Sequence, residues 1–117
     1  MSQGILHLTR QGLTPETYVA NVLTWEYAKD KQTFYICFGG VDDEGAFEGT
    51  CNLVGVSKWQ FSGSGEFRYM VDGKVTPSKV NAQLSLQGSL LVLNGSWKDD
   101  GDRRDETYDL YIEIDNR

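Results

Sequence analysis

The stretch Trp59–Tyr69, WQFSGSGEFRY, decides the fold that this sequence predicts. Every second residue in it is an aromatic residue or a glycine, which is the period of a β-strand with one face turned inward. Glycines between rings suit a strand that coils around a small barrel, because a neighbouring ring can cover the backbone that a glycine exposes. The inward face predicted for this stretch consists of Trp59, Phe61, Gly63, Gly65, Phe67 and Tyr69.

Alternation with period 2 continues through almost the whole chain, with turn residues between the runs. Each run is joined to the next by a short link, which predicts an antiparallel meander. A further short strand is expected around Ile5 to Thr9, before a turn closed by Pro15. The eight main runs are placed near residues 17–28, 32–41, 45–54, 57–63, 65–72, 78–86, 89–98 and 107–115.

The segment from residue 15 to 28 admits two interpretations. Thr14 followed by Pro15 resembles a helix start, and the apolar residues after it roughly follow helical spacing. The segment is nevertheless rich in β-branched and aromatic residues, which favour strands. A four-residue loop also aligns Tyr27 with Phe34 and would place Leu23 opposite Phe38. We therefore predict a strand.

Facing residues test the predicted hairpins, since a slip of one residue would turn every side chain to the other face. A turn at Asp43 and Glu44 pairs residues 34–40 with residues 47–53, apolar against apolar. A turn at Gln87 and Gly88 pairs Leu84 with Leu91. The last two strands pair Trp97 with Tyr108. These registers turn four glycines inward: Gly49, Gly63, Gly65 and Gly95.

Closure of the meander into a barrel pairs the two edge strands and buries the apolar face on itself. The sequence therefore predicts an all-β fold, an antiparallel meander barrel of about eight strands. The 117 residues suffice for one hydrophobic core, so we expect a single domain over residues 1–117.

The cysteines and the histidine give no metal or disulfide signal. The hairpin register turns Cys37 outward and Cys51 inward, so we expect two free thiols. His7 is the only histidine, and structural zinc needs about four histidine or cysteine ligands. The acidic loop from Asp99 to Glu106 does not follow the spacing of a calcium-binding EF-hand. We expect no catalytic residue, metal or cofactor.

In strand count, meander order and size the chain resembles the calycin group, the avidin-type and lipocalin-type barrels. The tripeptide GSW, Gly95 to Trp97, is similar to the short Gly-x-Trp elements of such barrels, although it lies in the penultimate strand. The resemblance implies a barrel that binds a small molecule. The polar residues with which avidins hold biotin have no counterpart here, so biotin binding is not carried over.

The interior is the feature that indicates a function. An eight-stranded barrel is either filled by its side chains or holds one small ligand. We expect few inward polar groups, chiefly Asn21, Tyr27, Tyr69, Thr76 and Tyr108, and no inward carboxylate. Residues expected to contact a small, largely apolar or aromatic ligand are Trp25, Trp59, Phe61, Phe67, Tyr69, Trp97, Tyr108 and Asn21.

Net charge and sequence pattern limit the classes of partner that we expect the protein to bind. A formal net charge of −6 would repel nucleic acid and anionic membrane surfaces, so neither is expected as a partner. The start of the chain lacks a signal-peptide pattern, which favours a cytoplasmic location. Leu90, Val92 and Tyr111 on the outer face suggest a homodimer contact.

Three classes of function remain open at the level of sequence. The first is a small-molecule-binding barrel, and the second is an acidic inhibitor or immunity-type protein that masks a basic partner. The third is a barrel-type cyclase or isomerase that shapes its substrate with little acid–base chemistry.

Overall fold

The computed structural model of the chain describes residues 3–12, 15–100 and 107–115. These residues form eight antiparallel strands, each paired with the next in chain order, and the last strand pairs with the first to close a barrel. The all-β meander predicted from the sequence is confirmed. The strands are β1 (Gln3–Arg10), β2 (Thr17–Ala28), β3 (Thr33–Asp42), β4 (Gly45–Ser57), β5 (Gln60–Tyr69), β6 (Val75–Gln87), β7 (Leu90–Asp99) and β8 (Thr107–Asp115).

The segments that form the strands differ from the prediction at two places. The N-terminal strand is not an addition to the barrel but its closing element, since β1 pairs with both β2 and β8. The runs predicted at 57–63 and 65–72 form the single strand β5, because Gly63 and Gly65 both keep their pairing with β4. Trp59 lies outside that strand, in the β4–β5 turn at a φ of 67°. Its predicted inward orientation is therefore wrong.

Two of the predicted hairpin registers are confirmed residue by residue. The β3–β4 hairpin pairs Phe38 with Gly49 and Ile36 with Cys51. The β7–β8 pair places Trp97 opposite Tyr108. The conflict over residues 15–28 is also resolved, because residues 17–28 form strand β2.

Two other registers are shifted. The β6–β7 turn consists of Gly88 and Ser89, so Leu84 faces Leu93, two residues beyond the predicted partner. In β2 an irregularity between Val22 and Thr24 turns Leu23 outward, where 61% of it is exposed. The predicted pairing of Leu23 with Phe38 is therefore wrong.

The inward face of the barrel forms one apolar core, in which Ile36, Phe38, Leu93 and Ile112 have no exposed surface. Trp97 lies in the middle of this core at 1% exposure, with its ring edge-on to Phe38 at a centroid distance of 6.0 Å. The described residues form no helix long and apolar enough to cross a bilayer.

The inward glycines make room for core side chains and for close strand contact. A Cβ atom on Gly65 would lie 2.5 Å from the Trp97 ring, and one on Gly49 would overlap the ring of Phe38. A Cβ on Gly63 would overlap the carbonyl oxygen of Asn52 in the next strand. Aromatic rings thus occupy the space above Gly49 and Gly65, whereas at Gly63 the neighbouring backbone does.

The cysteines lie where the register predicts. Cys51 is fully buried, Cys37 is half-buried on the outer face, and both thiols are free.

The outer face proposed for a dimer is less apolar than expected. Val92 is only 5% exposed. Tyr111 packs its ring against His7 at 6.0 Å and donates a hydrogen bond to Glu113. Leu90 and Tyr111 are half-buried, so less apolar surface is exposed there than expected, and a homodimer remains a prediction.

Candidate functional site

The two ends of the barrel differ in chemistry. One end, which we call the tyrosine end, carries the side chains of Tyr18, Tyr69 and Tyr108 from the start of β2, the end of β5 and the start of β8. At the opposite end the rings of Tyr27, Phe34 and Phe61 pack on one another, with Phe34 and Phe61 buried. At the tyrosine end the rings adjoin carboxylates, since Tyr18 donates a hydrogen bond to Glu16 and Tyr69 donates one to Asp42.

A cavity of about 280 Å³, the inner cavity, opens at the tyrosine end. Its most buried lining residues are Leu8 and Trp97, at 4% and 1% exposure. Above them lie further aromatic side chains and the hydroxyl-bearing Thr76. The remaining lining residues are Tyr18, Glu44, Phe67, Tyr69, Asp99 and Tyr108. The volume suits a ligand built around one aromatic ring, at the lower end of the range for small-molecule sites.

An outer cavity of about 580 Å³ adjoins the inner one. Tyr18, Glu44 and Tyr69 line both cavities, so these residues lie at the boundary between them. The outer cavity is bounded by the β3–β4 turn and by the start of β2, where Val19 and Val41 add apolar surface. A ligand can therefore extend from the buried ring of Trp97 to the solvent.

The aromatic walls are held by contacts with one another. The ring of Tyr18 is edge-on to Tyr108 at 6.0 Å and to Phe67 at 6.5 Å. Phe67 stacks on Phe47 at 5.1 Å and meets Tyr69 edge-on at 5.3 Å. Edge-to-face pairs of this kind fix the ring orientations, so the walls are formed before any ligand binds.

Asp99 lies at the end of β7, two residues after Trp97 and on the same face of the strand. Its Oδ1 atom accepts hydrogen bonds from the indole Nε1–H of Trp97 at 3.1 Å and from the hydroxyl of Ser78 at 3.0 Å. These two donors fix the orientation of the Asp99 carboxylate. The expectation of an inward face without a carboxylate is therefore wrong at this end of the barrel.

A second acidic element is the β3–β4 turn. Asp42 accepts hydrogen bonds from the backbone N–H of Glu44 at 2.8 Å and from the hydroxyl of Tyr69 at 2.5 Å. On the other side of the outer cavity, Tyr18 donates to Glu16 at 3.3 Å. The carboxylates that line the two cavities come from the β1–β2 loop, the β3–β4 turn and the end of β7. They belong to Glu16, Asp42, Asp43, Glu44 and Asp99.

Burial and the nearby carboxylates raise the pKa values of two of the tyrosine side chains. The pKa of Tyr69 is raised above its usual value, by burial first and then by Asp42 and Glu44. The pKa of Tyr18 is raised by burial and by Glu16, with smaller effects of Asp42 and Glu44. Both phenols therefore stay protonated at neutral pH and act as hydrogen-bond donors to the carboxylates.

The basic side chains of the described residues lie outside the lining of the two cavities. Among the described residues that line them there is no lysine, arginine or histidine. Arg10, at the end of β1, comes within 4.0 Å of Glu16 but does not line either cavity. The acidic loop discussed from the sequence falls largely on residues 101–106, which lie outside the described residues.

Of the side chains predicted to contact a ligand, the inner cavity brings together four: Phe67, Tyr69, Trp97 and Tyr108. Trp25 and Phe61 lie at the opposite end, where Trp25 stacks on Phe34. Asn21 is exposed and pairs with Ile5 and Gly39 on the outer face, so its predicted inward orientation is wrong. Trp59 lies in the β4–β5 turn at that same opposite end.

The lining residues that sequence reasoning missed are Leu8, Tyr18, Glu44 and Asp99. The signal for Asp99 was available, because continuing the alternation from Trp97 by two residues places it inward. Tyr18 and Glu44 reach the cavity only because closure brings β2 and the β3–β4 turn to the same end.

No three His, Cys, Asp or Glu side chains of the described ranges are grouped closely enough to hold a metal ion. Comparisons of the chain with protein-family models, with curated proteins and with solved structures found no significant match.

Proposed function

We propose that this chain is a binding protein that holds a small, largely aromatic ligand at the tyrosine end of a calycin-like barrel. The observation that carries the proposal is the inner cavity of about 280 Å³, walled by aromatic rings and open to the outer cavity. Six of the nine lining residues are apolar or aromatic, and their hydroxyls, together with Thr76, Glu44 and Asp99, provide polar groups that can orient a ligand.

The position of the cavity also supports binding rather than core packing. Trp97 closes the cavity from the barrel interior, and the filled core beneath it keeps a ligand near the opening. The walls are preformed by edge-to-face contacts, so a ligand does not have to order them. Preorganisation of this kind removes part of the entropic cost of binding.

A tryptophan at position 76 tests this proposal. Thr76 is half-buried and lines the inner cavity, so Thr76→Trp should fill it with little effect on the core. The probe is prodan, a neutral naphthalene dye whose emission shifts to the blue in apolar surroundings. We expect the shift with the wild type and its loss with Thr76→Trp. The matched control is Thr24→Trp, which adds the same ring at an exposed position of β2.

Absence of any blue shift with the wild type contradicts the proposal. Equal binding by wild type and Thr76→Trp contradicts it as well, because prodan would then bind elsewhere. Circular dichroism establishes that both variants keep the β-structure.

A second candidate function, a module that binds a basic protein, is favoured by the loops of the same end. Met70 and Val71 in the β5–β6 turn are 53% and 82% exposed, and Val41 beside the acidic β3–β4 turn is 77% exposed. Apolar tips beside carboxylates suit a partner with a basic, partly apolar surface.

Native mass spectrometry of protein purified from its own host distinguishes the two candidates. A retained small molecule supports the first. A co-purifying basic protein that is lost in Val71→Asp, but kept in Thr76→Trp, supports the second.

A further inference from the structure

The pairing of β2 with β3 stops before these strands reach the tyrosine end. It runs from the pair Ala28–Thr33 to the pair Asn21–Gly39. Residues 17–20 and 40–42 keep their pairing with β1 and β4, the strands on their other sides. Within the described ranges the barrel wall therefore has a slit, with residues 17–20 of β2 on one side and residues 40–42 of β3 on the other.

The slit suggests the shape of the ligand. We propose that the ligand is an arylalkyl compound, whose aromatic ring occupies the inner cavity and whose flexible chain leaves the barrel sideways through the slit. This inference rests on the proposed function, because it describes the occupant of the same site.

The first argument is that the outer cavity passes through the barrel wall. Phe47 lines it from the interior and is 4% exposed, whereas Val19 and Val41 line it and are 46% and 77% exposed. Successive side chains of a strand point to opposite faces, so Tyr18 and Val19 line the cavity from the two faces of β2. A cavity lined from both faces leads sideways out of the barrel.

The second argument is the position at which the slit ends. A Cβ atom on Gly40 would lie 2.7 Å from the Cζ atom of Phe47 and 3.0 Å from the carbonyl oxygen of Val19. At Gly40 the two strands are therefore close together. Beyond it, Val41 and Asp42 line the outer cavity. The slit thus widens from Gly40 toward the tyrosine end.

The third argument is that the passage between the two cavities is formed without a ligand. Tyr18 and Tyr69 line both cavities. The hydroxyl of Tyr18 donates to Glu16 on the β2 side of the slit, and that of Tyr69 donates to Asp42 on the β3 side. Each tyrosine is thus held on its own side, and a chain can pass between the rings.

Together these features select a ligand of two parts. The inner cavity of about 280 Å³ suits one aromatic ring, and the outer cavity of about 580 Å³ leaves room for a chain. The passage is walled by tyrosine rings, and Val19 and Val41 lie where it reaches the outer face, so the chain is apolar where it crosses the wall. A compact ring system would leave the outer cavity unused.

The test compares two neutral ligands that carry the same ring, benzyl alcohol and 6-phenylhexan-1-ol. The affinity of each is measured by NMR titration. Each methylene group that is buried should tighten binding by about fourfold. We therefore expect 6-phenylhexan-1-ol to bind to the wild type about tenfold more tightly than benzyl alcohol, or better.

Intermolecular nuclear Overhauser effects locate the two parts of bound 6-phenylhexan-1-ol. The ring protons should contact the methyl groups of Leu8 in the inner cavity. The chain protons should contact the methyl groups of Val19 and Val41 at the slit. Chain contacts with Val71 in the β5–β6 turn, in place of those valines, would mean that the chain leaves by another path.

A variant at the slit tests the path independently. Val19→Asp places a carboxylate beside the chain at a half-exposed position. It should reduce the preference for 6-phenylhexan-1-ol to about threefold or less, because an apolar chain would then desolvate a charge. The matched control is Val75→Asp in β6, since Val75 is 50% exposed and lines neither cavity. The control should keep the preference, and circular dichroism shows whether both variants keep the β-structure.

The outcomes separate this inference from the proposed function. Equal affinities of the two alcohols for the wild type, or chain contacts away from Val19 and Val41, overturn the inference and leave the proposed function standing. A preference that survives in a folded Val19→Asp variant, or that falls equally in Val75→Asp, also overturns it. If Val19→Asp does not fold, the chain contacts in the wild type decide. Failure of both alcohols and of prodan to bind overturns the inference and the proposed function together.

Discussion

Replacement of Gly65 by alanine measures whether Trp97 fills the space above this glycine. The added Cβ would lie 2.5 to 3.0 Å from three atoms of the distal indole ring, Cη2, Cζ3 and Cζ2. Trp97 is 1% exposed and its ring packs edge-on to Phe38, which restricts its movement on the side of the core. Overpacking of this kind costs about 1–3 kcal/mol, whereas alanine in a strand regains about 0.5–1 kcal/mol relative to glycine. The free energy of unfolding should therefore fall by about 1 kcal/mol, and by no more than about 2.5 kcal/mol.

The double variant identifies the cause of this loss. Phenylalanine at position 97 lacks the distal indole atoms, so in a Trp97→Phe background Gly65→Ala should stabilise the protein by up to about 1 kcal/mol. The coupling should equal the overpacking cost, about 1–3 kcal/mol. Urea unfolding followed by circular dichroism provides the free energies. Ser64→Ala, at the neighbouring exposed position of β5, is the control and should stay within about 0.5 kcal/mol of the wild type.

Two results would refute the reasoning about Gly65. If Gly65→Ala stabilises the protein, the space above the glycine is open. If its cost is the same in the wild type and in the Trp97→Phe background, the indole is not what the new methyl group meets.

Further predictions concern the thiols and a second glycine. In the native protein a disulfide-exchange reagent should label Cys37 and leave the fully buried Cys51 unreacted until denaturant is added; rapid labelling of both would contradict the β3–β4 register. Burial raises the pKa of Cys51 from 9.0 to about 12. As the pH rises, this thiol therefore loses its proton in the unfolded state at a lower pH than in the folded state. The thiol's contribution to stability is present below pH 9.0 and is lost between pH 9.0 and about 12. In Cys51→Ala the free energy of unfolding, measured in urea, should fall less steeply with pH above 9.0, by about 1.4 kcal/mol per pH unit. An unchanged slope would contradict this contribution of the buried thiol. Gly63→Ala should cost more than Gly65→Ala in the same urea assay, because its Cβ meets the backbone of Asn52; a smaller cost would contradict the close strand contact.

The sequence was sufficient for the barrel and for most of its inward face. Alternation along β3, β4, β7 and β8 determined which residues face inward, and short turns such as Asp43–Glu44 determined their partners. The β6–β7 slip shows the limit of that method. A shift by two residues keeps every side chain on its face, so alternation cannot separate a Gln87–Gly88 turn from the observed Gly88–Ser89 turn.

The candidate site was less accessible from the sequence, for reasons of geometry. Alternation in WQFSGSGEFRY continued one residue too far, because an aromatic residue at positive φ in a turn, such as Trp59, is rare. Leu23 was placed inward because an irregularity in a strand leaves no trace in a two-residue pattern. Which aromatic residues share an end depends on closure of the whole barrel, so the set predicted around one pocket separates into two ends.

The indole N–H resonances of the tryptophans test the central claim most directly. The chain has three tryptophans, and only Trp97 lines the inner cavity, where its Nε1–H donates to Asp99. Trp25 and Trp59 lie at the opposite end. In a ¹H–¹⁵N correlation spectrum, titration with prodan should shift the Trp97 signal in a saturable way and leave the other two in place. A Trp97 signal that stays fixed while Trp25 or Trp59 moves, or three signals that no probe moves, would contradict ligand binding at the tyrosine end.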